Sequence, residues 1–476
     1  MAGAGVLAIV MEALKIIGGM TLLLWTTVVY AADAPIPLTI DEYVDRAIKQ
    51  GIQGKLNEMN LEAAGYTREI AFRQTDSPTF SVNHSNMRGD TTVNGFPELT
   101  NSQQTSLVAN ETTPLGTTIN ATGQWADSGG TLGPSETIAR PGFNASVTQP
   151  VYLFVKNSVL RTRQNADLNF AIAKNIFDAT VLSLRVQARN FYYSVMLNRA
   201  SIEVDERKVQ ASQKLLDVTQ ALVDAGKSAS VDTMRAKIQL QEDKRQLQND
   251  QVLKDQAVLS AKNFIYLPLE AEVQFVTELE FAPFKITLPR LLDYAMLHNP
   301  DLESLRHDKD LALLSYQAAL EPTRPTLVMN GTYNSNEQPN VITHGWTWTA
   351  TENWLFFDSF VTRDQVRNAR IAEWVADLNL QDAERATRVN VQSAYWDVMR
   401  TEQQIEDFTF SREQAKRNVD ILRLRFQNGL ATLLDVLDAE NQMRVLENEY
   451  LGLLVQFNQA KDKVSAQIGA DVETLS

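Results

Sequence analysis

The feature that most constrains this chain is an internal repeat of two very long helical segments. Residues 151–226 recur, shifted by 203 positions, as residues 354–429, and Gly226 then aligns with Gly429. Because a duplication builds one structure twice, the chain is predicted to be an elongated body of two tandem structural repeats, not a row of unrelated domains.

Both repeated segments are predicted to be helices that no compact core can cover. No proline lies between Pro150 and Pro268, and Gly226 is the only glycine in that interval. The residues are mostly good helix formers, so nothing breaks the helix before the glycine. A helix over 156–224 would be roughly 100 Å long. Such a helix must run beside other long helices.

A returning helix is predicted after each glycine, over 231–264 in the first repeat and 433–467 in the second. Gly226 and Gly429 are suited to the left-handed position that ends a helix. Ser230 and Thr432 are the predicted N-caps of the returning helices. Each repeat therefore contains a long helical hairpin.

Composition excludes several classes of protein. The chain of 476 residues has no cysteine and only four scattered histidines, and its net charge is −14. Disulfides and thiolate metal sites are excluded, and the histidines have no metal-ligand spacing, so we expect neither a metal nor a cofactor. The acidic charge disfavours a nucleic-acid partner. No carboxylate, histidine or serine constellation predicts an enzyme.

The N-terminal 32 residues have the pattern of an export signal. Lys15 precedes an apolar stretch over 16–30, and small residues follow at Ala31 and Ala32. This order is typical of a cleaved signal peptide. A permanent membrane anchor is the alternative, although about 15 apolar residues are few for a membrane span.

Two segments upstream of the long helices are predicted to form β-strands. Residues 78–152 and 324–356 alternate polar and apolar residues, and Trp346 and Trp348 fall on one face. Short alternating strands with aromatic residues near their ends are typical of a transmembrane β-barrel. A soluble sandwich is the alternative. The first repeat carries about 44 more residues here than the second, which either add a hairpin to the wall or form a loop outside it.

The remaining segments are short helices and a connection. An amphipathic helix is predicted over 36–50, with a second helix over 55–75 and their counterparts starting at Thr287 and Asp301. The predicted division is a signal peptide (1–32), first short helices (33–77), first strands with the extra residues (78–152), first hairpin (153–266), linker (267–287), second short helices (288–323), second strands (324–356) and second hairpin (357–470).

Three motifs resemble the TolC family of outer-membrane efflux ducts. Residues 425–439 (RFQNGLATLLDVLDA) are similar to the helix-turn of that family, and residues 149–154 and 353–359 look like its corner between barrel and helix. The resemblance extends over essentially the whole mature chain, including its duplication.

This resemblance implies a homotrimer with a β-barrel in the outer membrane and a long α-helical barrel in the periplasm. In the family each protomer supplies four strands, so three close a twelve-stranded barrel. The implied function is a passive exit duct of a tripartite efflux pump or a type I secretion system in a Gram-negative cell. Its implied partners are outer-membrane lipid, a periplasmic adaptor and an inner-membrane pump. The alternative function is a periplasmic coiled-coil scaffold or adaptor that forms no channel.

The site residues implied by the resemblance form a gate, not a catalytic centre. Asp435 and Asp438 match the carboxylates that ring the periplasmic tip, and Asp232 matches the acidic residue that helps to hold the tip closed. Phe426 stands where the best-known member has a tyrosine. The alternative role for Asp232 and Asp435 is to complement the dipole of a helix start.

The helix turns are the implied docking sites for the adaptor, through Gly226, Gly429, Leu430 and Ala431. Ala431 stands where the best-known member has an arginine, so the closed state is expected to be held differently here. Trp346 and Trp348 are predicted interface anchors at the membrane surface, or simple strand neighbours.

Overall fold

The computed structural model describes residues 36–472, apart from 94–95, 131–139, 153–155 and 339–340, together with residue 475. The predicted signal peptide lies outside these residues. The helices are α1 (Ile40–Lys49), α2 (Ile52–Arg73), α3 (Ser158–Asp224), α4 (Ser230–Phe264), α5 (Leu288–His298), α6 (Pro300–Ala319), α7 (Val361–Gln427) and α8 (Leu433–Ile468). The strands are β1 (Ile36–Leu38), β2 (Thr79–Val93), β3 (Phe96–Thr112), β4 (Thr118–Gly130), β5 (Arg140–Val151), β6 (Val273–Phe275), β7 (Thr326–Gln338) and β8 (Val341–Asn353).

The two long helices are of equal length and are related by the sequence repeat. Helices α3 and α7 have 67 residues each, and their first and last residues differ by the same 203 positions as the sequence repeat. At 1.5 Å per residue each is roughly 100 Å long. The returning helices α4 and α8 pack along them as two antiparallel hairpins. The predicted long hairpins are confirmed.

The hairpins pack on each other through neighbouring helices. Helix α3 contacts α2, α6 and α8, and α7 contacts α6. At the sheet end the helices therefore follow the order α2, α3, α6, α7, which is also their order along the chain.

The large sheet contains more strands than the four per chain that the family resemblance implies. Among the described residues, its hydrogen-bonded order is β2-β3-β4-β5-β7-β8, antiparallel throughout. The extra residues of the first repeat thus form strands β3 and β4 of the sheet and do not lie outside it. Four strands per chain is the wrong number here, because both edges of the inserted hairpin are paired.

The first predicted helix begins later than expected. Residues Ile36–Leu38 form strand β1, which pairs in parallel with β6 of the linker. Helix α1 starts only after Thr39, whose side chain forms a capping box with Glu42. The linker therefore contributes a strand to this small sheet.

Two similar apolar cores, one in each repeat, pack against the middle of the long helices. The first surrounds Tyr192, which is 1% exposed, and the second surrounds Val398 and Phe457, which are fully buried. Tyr43 stacks edge-on against Tyr192 at 5.8 Å between ring centroids. These aromatic side chains are packing residues between helices.

Candidate functional site

The two helix turns at the far end of the hairpins have the same backbone geometry. Gly226 has φ +73° and Gly429 has φ +72°. In each turn the amide after the glycine donates a 2.8 Å hydrogen bond to the carbonyl five residues earlier. A left-handed residue with this hydrogen bond ends a helix without leaving its carbonyls unpaired. The predicted glycine caps are confirmed.

The helices that leave the turns begin differently. Thr432 caps α8 in a reciprocal box with Asp435, whose Oδ2 accepts from the Thr432 amide at 2.8 Å. Hydrogen bonds from the Thr432 hydroxyl and amide lower the pKa of Asp435. This carboxylate therefore performs the structural role of a cap as well as any role in a gate.

The predicted N-cap Ser230 is wrong, because the cap position of α4 belongs to Ala229, which makes no side-chain hydrogen bond. Ser228 instead donates to Asp232 at 2.7 Å. Asp232 also lies 3.7 Å from Arg235. This acidic residue is therefore held within its own turn.

The predicted gate residues occupy two different environments. Asp435 and Asp438 are exposed on α8, and Asp438 accepts from Gln442 at 3.2 Å. Phe426 is only 4% exposed and packs in a core with Leu433 and neighbouring apolar residues. Within one chain, Phe426 supports the turn from beneath and does not face solvent beside the aspartates.

The tip exposes apolar side chains that helical periodicity alone does not assign to a core. Leu430 is 74% exposed and Leu434 is 64% exposed, while Ala431 packs against the core around Phe426. Val231, which the repeat aligns with Leu434, is 47% exposed. The signal that could have identified them is an apolar residue on the polar face of an otherwise amphipathic helix.

A buried ionic network next to the tip joins both repeats. Glu440 of α8 accepts from Lys208 of α3 and from Arg423 of α7, each at 2.9 Å. Glu440 is 3% exposed and Lys208 is 7% exposed. Sequence reasoning missed this network because its partners are up to 232 positions apart.

The same network forms the floor of a groove of about 470 Å³ between the two hairpins. The cationic residues lining it are Arg207, Lys208, Lys214, Lys416, Arg423 and Arg444. The acidic residues that the structure places along it are Asp420, Glu440 and Glu447. The side chains lining the groove therefore carry a net positive charge, although the whole chain is acidic.

A cluster of buried carboxyl groups lies between α3 and α4. Asp205 is 2% exposed, and Asp243 and Asp250 are each 7% exposed. Burial, aided by the neighbouring Asp250 carboxyl, raises the pKa of Asp205 to about 7, whereas Arg444 opposes that shift. Two adjacent buried carboxyls favour sharing a proton over carrying two charges.

The large sheet has two chemically distinct faces, defined by residues that lie directly opposite each other on successive strands. One row on the apolar face is Phe80, Ala109, Ala121, Ala145, Tyr333 and Trp346. The adjacent row on the polar face is Thr79, Asn110, Asn120, Ser146, Thr332 and Thr347. Each row crosses all the strands of the described sheet.

The apolar face is uncovered within the chain. Phe80 is 72% exposed and Trp348 is 70% exposed. Trp346 stacks on Trp348 at 5.9 Å and contacts Tyr333 at 5.2 Å between ring centroids. The polar face instead forms side-chain hydrogen bonds between strands, such as Asn120 to Asn110 at 2.6 Å. Such a sheet needs an apolar medium or partner on one side only.

The described residues include neither a candidate membrane-spanning helix nor a candidate metal cluster. None of the helices there has an apolar, weakly charged stretch long enough to cross a bilayer. The described ranges also contain no cluster of histidine, aspartate and glutamate residues that could hold a metal ion.

Comparison with known proteins gives a sequence match and several structural matches. Residues 291–470 match the family model described as outer membrane efflux protein. No curated protein matches the chain. The open state of the MtrE outer membrane channel of Neisseria gonorrhoeae is similar, with a TM-score of 0.69, 14% identity, and coverage of 91% of this chain and 89% of that chain.

Two further channels give similar values. VceC, an outer membrane protein of Vibrio cholerae, has a TM-score of 0.68 and 12% identity, and the match covers 90% of this chain and 96% of that chain. The CmeC outer membrane channel of Campylobacter jejuni has a TM-score of 0.67 and 14% identity, with 90% and 85% covered. At such identities the likeness is one of fold. Residues 291–470 thus match the outer membrane efflux protein family, and the described chain has the fold of outer-membrane efflux channels, in agreement with the TolC resemblance of its motifs.

Proposed function

We propose that this chain is the passive outer-membrane exit duct of a tripartite efflux pump or type I secretion system. The observation that carries the proposal is a sheet with one uncovered apolar face, joined directly to helices about 100 Å long. A lipid bilayer covers such a face, and the helices are long enough to extend far into the periplasm. The family match and the fold support a channel over a catalyst.

A homotrimer is the assembly that we propose for the duct. Strands β2 and β8 each have one edge without a strand partner in the described sheet. Open strand edges are not stable in lipid, so the sheet must close on other copies. Three copies would form a single tube whose polar sheet face, bearing Asn110 and Asn120, lines the lumen.

The energy for transport would come from an inner-membrane pump reached through a periplasmic adaptor. The proposed adaptor contacts are the helix turns at Gly226 and Gly429, with the exposed side chains of Leu430 and Leu434. Ala431 would support the second turn from within. Exposed apolar side chains beside a polar rim are typical of a surface that binds a protein partner.

The proposed gate is a ring of carboxylates at the helix tips. Three copies bring together three Asp435 and three Asp438 side chains. Their repulsion disfavours tight closure and their charge attracts cations. Asp232 contributes a further carboxylate from the first hairpin, and Phe426 fixes the shape of the second turn.

A planar-bilayer experiment on the purified full-length protein tests the duct. We expect one conductance level per inserted particle, together with a trimeric mass in detergent by light scattering. The rival function, a periplasmic scaffold or adaptor without a channel, predicts no conductance and a particle that stays in solution without detergent. Either of those two results would overturn the proposal.

A further inference from the structure

Strands β3 and β4 form a hairpin that has no counterpart in the second repeat. Strand β3 pairs with β2 along 15 residue positions, and β4 pairs with β5 along nine. Their side chains continue the alternation of the neighbouring strands, with Ala109 and Ala121 on the apolar face and Asn110 and Asn120 on the polar face. A loop outside the wall would have no reason to keep this alternation.

The helix-side turn of this hairpin is fixed to the base of α3. Asn157, which caps α3, donates from Nδ2 to the Pro114 carbonyl at 2.8 Å. Gly116 has φ +80° and packs so closely on Tyr152 that an added Cβ would lie 1.9 Å from the ring hydroxyl. Thr117 donates to Gln149. The hairpin therefore begins at the level where the other strands meet their helices.

The two edges of the sheet are suited to each other. The described sheet is antiparallel throughout and has an even number of strands, so β2 and β8 run in opposite directions. The free edge of β8 in one copy can thus pair in antiparallel fashion with β2 of the next. Building on the trimer of the proposed function, we propose that three copies close an eighteen-stranded barrel, which is half as many strands again as the family resemblance implies.

The perimeters of the two barrels support this number. Eighteen strands about 4.8 Å apart and tilted by about 40° form a ring of roughly 110 Å in circumference. Twelve helices, four from each copy (α2, α3, α6 and α7), form a ring of roughly 110–120 Å when packed about 9–10 Å apart. Twelve strands would close at only about 75 Å. The extra hairpin thus matches the strand ring to the helix ring.

This match has a consequence for the cargo. With equal perimeters the duct does not narrow where it enters the membrane. Selection by size is then made at the helix turns, near Asp435 and Asp438, and not at the membrane segment.

Electron cryomicroscopy of the full-length protein in lipid nanodiscs tests the strand number directly. We expect three copies and eighteen wall strands. A trimer with twelve wall strands, and with β3 and β4 outside the wall, would overturn this inference while leaving the duct intact. A particle that forms no closed barrel would overturn the proposed function itself, so the two failures are distinguishable.

A matched variant follows from the repeat. Deletion of residues 94–137 removes the 44 extra residues and gives the first repeat a hairpin of the same length as the second. Polymer exclusion measures the diameter of the barrel mouth in each of the two proteins. Polyethylene glycols of graded size are added on the barrel side of a bilayer, and their effect on conductance is recorded. We expect the wild-type mouth to admit larger polymers than the variant, with a diameter about 1.5-fold greater. Equal cut-offs would contradict the wider barrel. If the variant does not fold, the strand count of the wild type decides alone.

Discussion

Arg189 of α3 donates from Nη1 to Asp462 of α8 at 2.6 Å, and the two residues are only 8% and 2% exposed. The same guanidinium reaches Asp471 through Nη2 at 2.8 Å. This pair fixes the first long helix to the last helix of the second repeat, at the level of the two cores. Burial raises the pKa of Asp462 to about 6 even though Arg189 acts to lower it.

Replacement of Arg189 by leucine is therefore expected to be strongly destabilising. The variant leaves Asp462 buried without its cation, which costs about 3–5 kcal/mol at neutral pH. Without Arg189 the pKa of Asp462 should lie above its wild-type value of about 6. The loss should therefore shrink as pH falls toward 6, where a protonated Asp462 has no charge to bury, and stay constant below pH 6. Denaturant unfolding followed by far-ultraviolet circular dichroism of the helices measures both effects.

The matched control is Arg185→Leu. The Arg185 side chain is 31% exposed and lies 3.3 Å from Asp471, so the loss should be below about 1 kcal/mol. Equal losses for the two variants would show that burial of the Arg189 pair does not matter.

Asp205 predicts a dependence of stability on pH. Its pKa is about 7 in the folded chain and about 3.9 when unfolded. The folded chain therefore holds a proton that the unfolded chain releases between those values, so stability falls as pH rises from about 4 to 7 and is flat above. Asp205→Asn should remove this slope and stabilise the protein at pH 8 by a few kcal/mol.

Asp255→Asn on α4 is the control for this prediction. The Asp255 side chain is 72% exposed, so its removal should leave the pH profile of unfolding unchanged. If the Asp205 variant has the wild-type slope, the buried carboxyl does not hold the proton.

Replacement of glycine by alanine is expected to have opposite effects on stability at the two turns and inside a helix. Gly226→Ala and Gly429→Ala should each cost about 1–2 kcal/mol, because a Cβ disfavours the left-handed backbone. Neither site has a heavy atom within 4 Å of an added Cβ, so the cost is conformational and not steric. Gly452→Ala, inside α8 and equally unobstructed, should stabilise by up to about 1 kcal/mol. Thermal unfolding measures the stability of all three variants. Destabilisation of Gly452→Ala together with the two turn variants would contradict this account.

A substitution of Thr432, the capping partner of Asp435, separates the cap role of Asp435 from its proposed gate role. Asp435→Ala combined with Asp438→Ala should reduce cation selectivity, measured as the reversal potential in a salt gradient across a planar bilayer. Thr432→Ala breaks the same capping box, at a cost of about 0.5–2 kcal/mol, but removes no charge. We expect it to leave selectivity unchanged. Unchanged selectivity in the double variant would rule out the acidic ring, and a change in the threonine variant would assign the effect to the turn.

Much of the fold follows from local patterns in the sequence. The repeat predicted two long helices, and the structure gives both 67 residues. Gly226 and Gly429 predicted the turns, because a left-handed cap is a property of a few adjacent residues. Period-2 alternation predicted strands around Trp346 and Trp348, but it could not decide whether the extra residues lie in the wall.

The sequence by itself determined the repeat, the helix ends and the strand segments, since each depends on residues close together in the chain. Only the tertiary structure decided that β3 and β4 are inserted between β2 and β5. It also decided that Lys208 meets Glu440 and that Arg189 meets Asp462, across 232 and 273 positions. No local pattern encodes such pairs, because the low-dielectric surroundings that make a buried charge dependent on its partner exist only after the helices have packed.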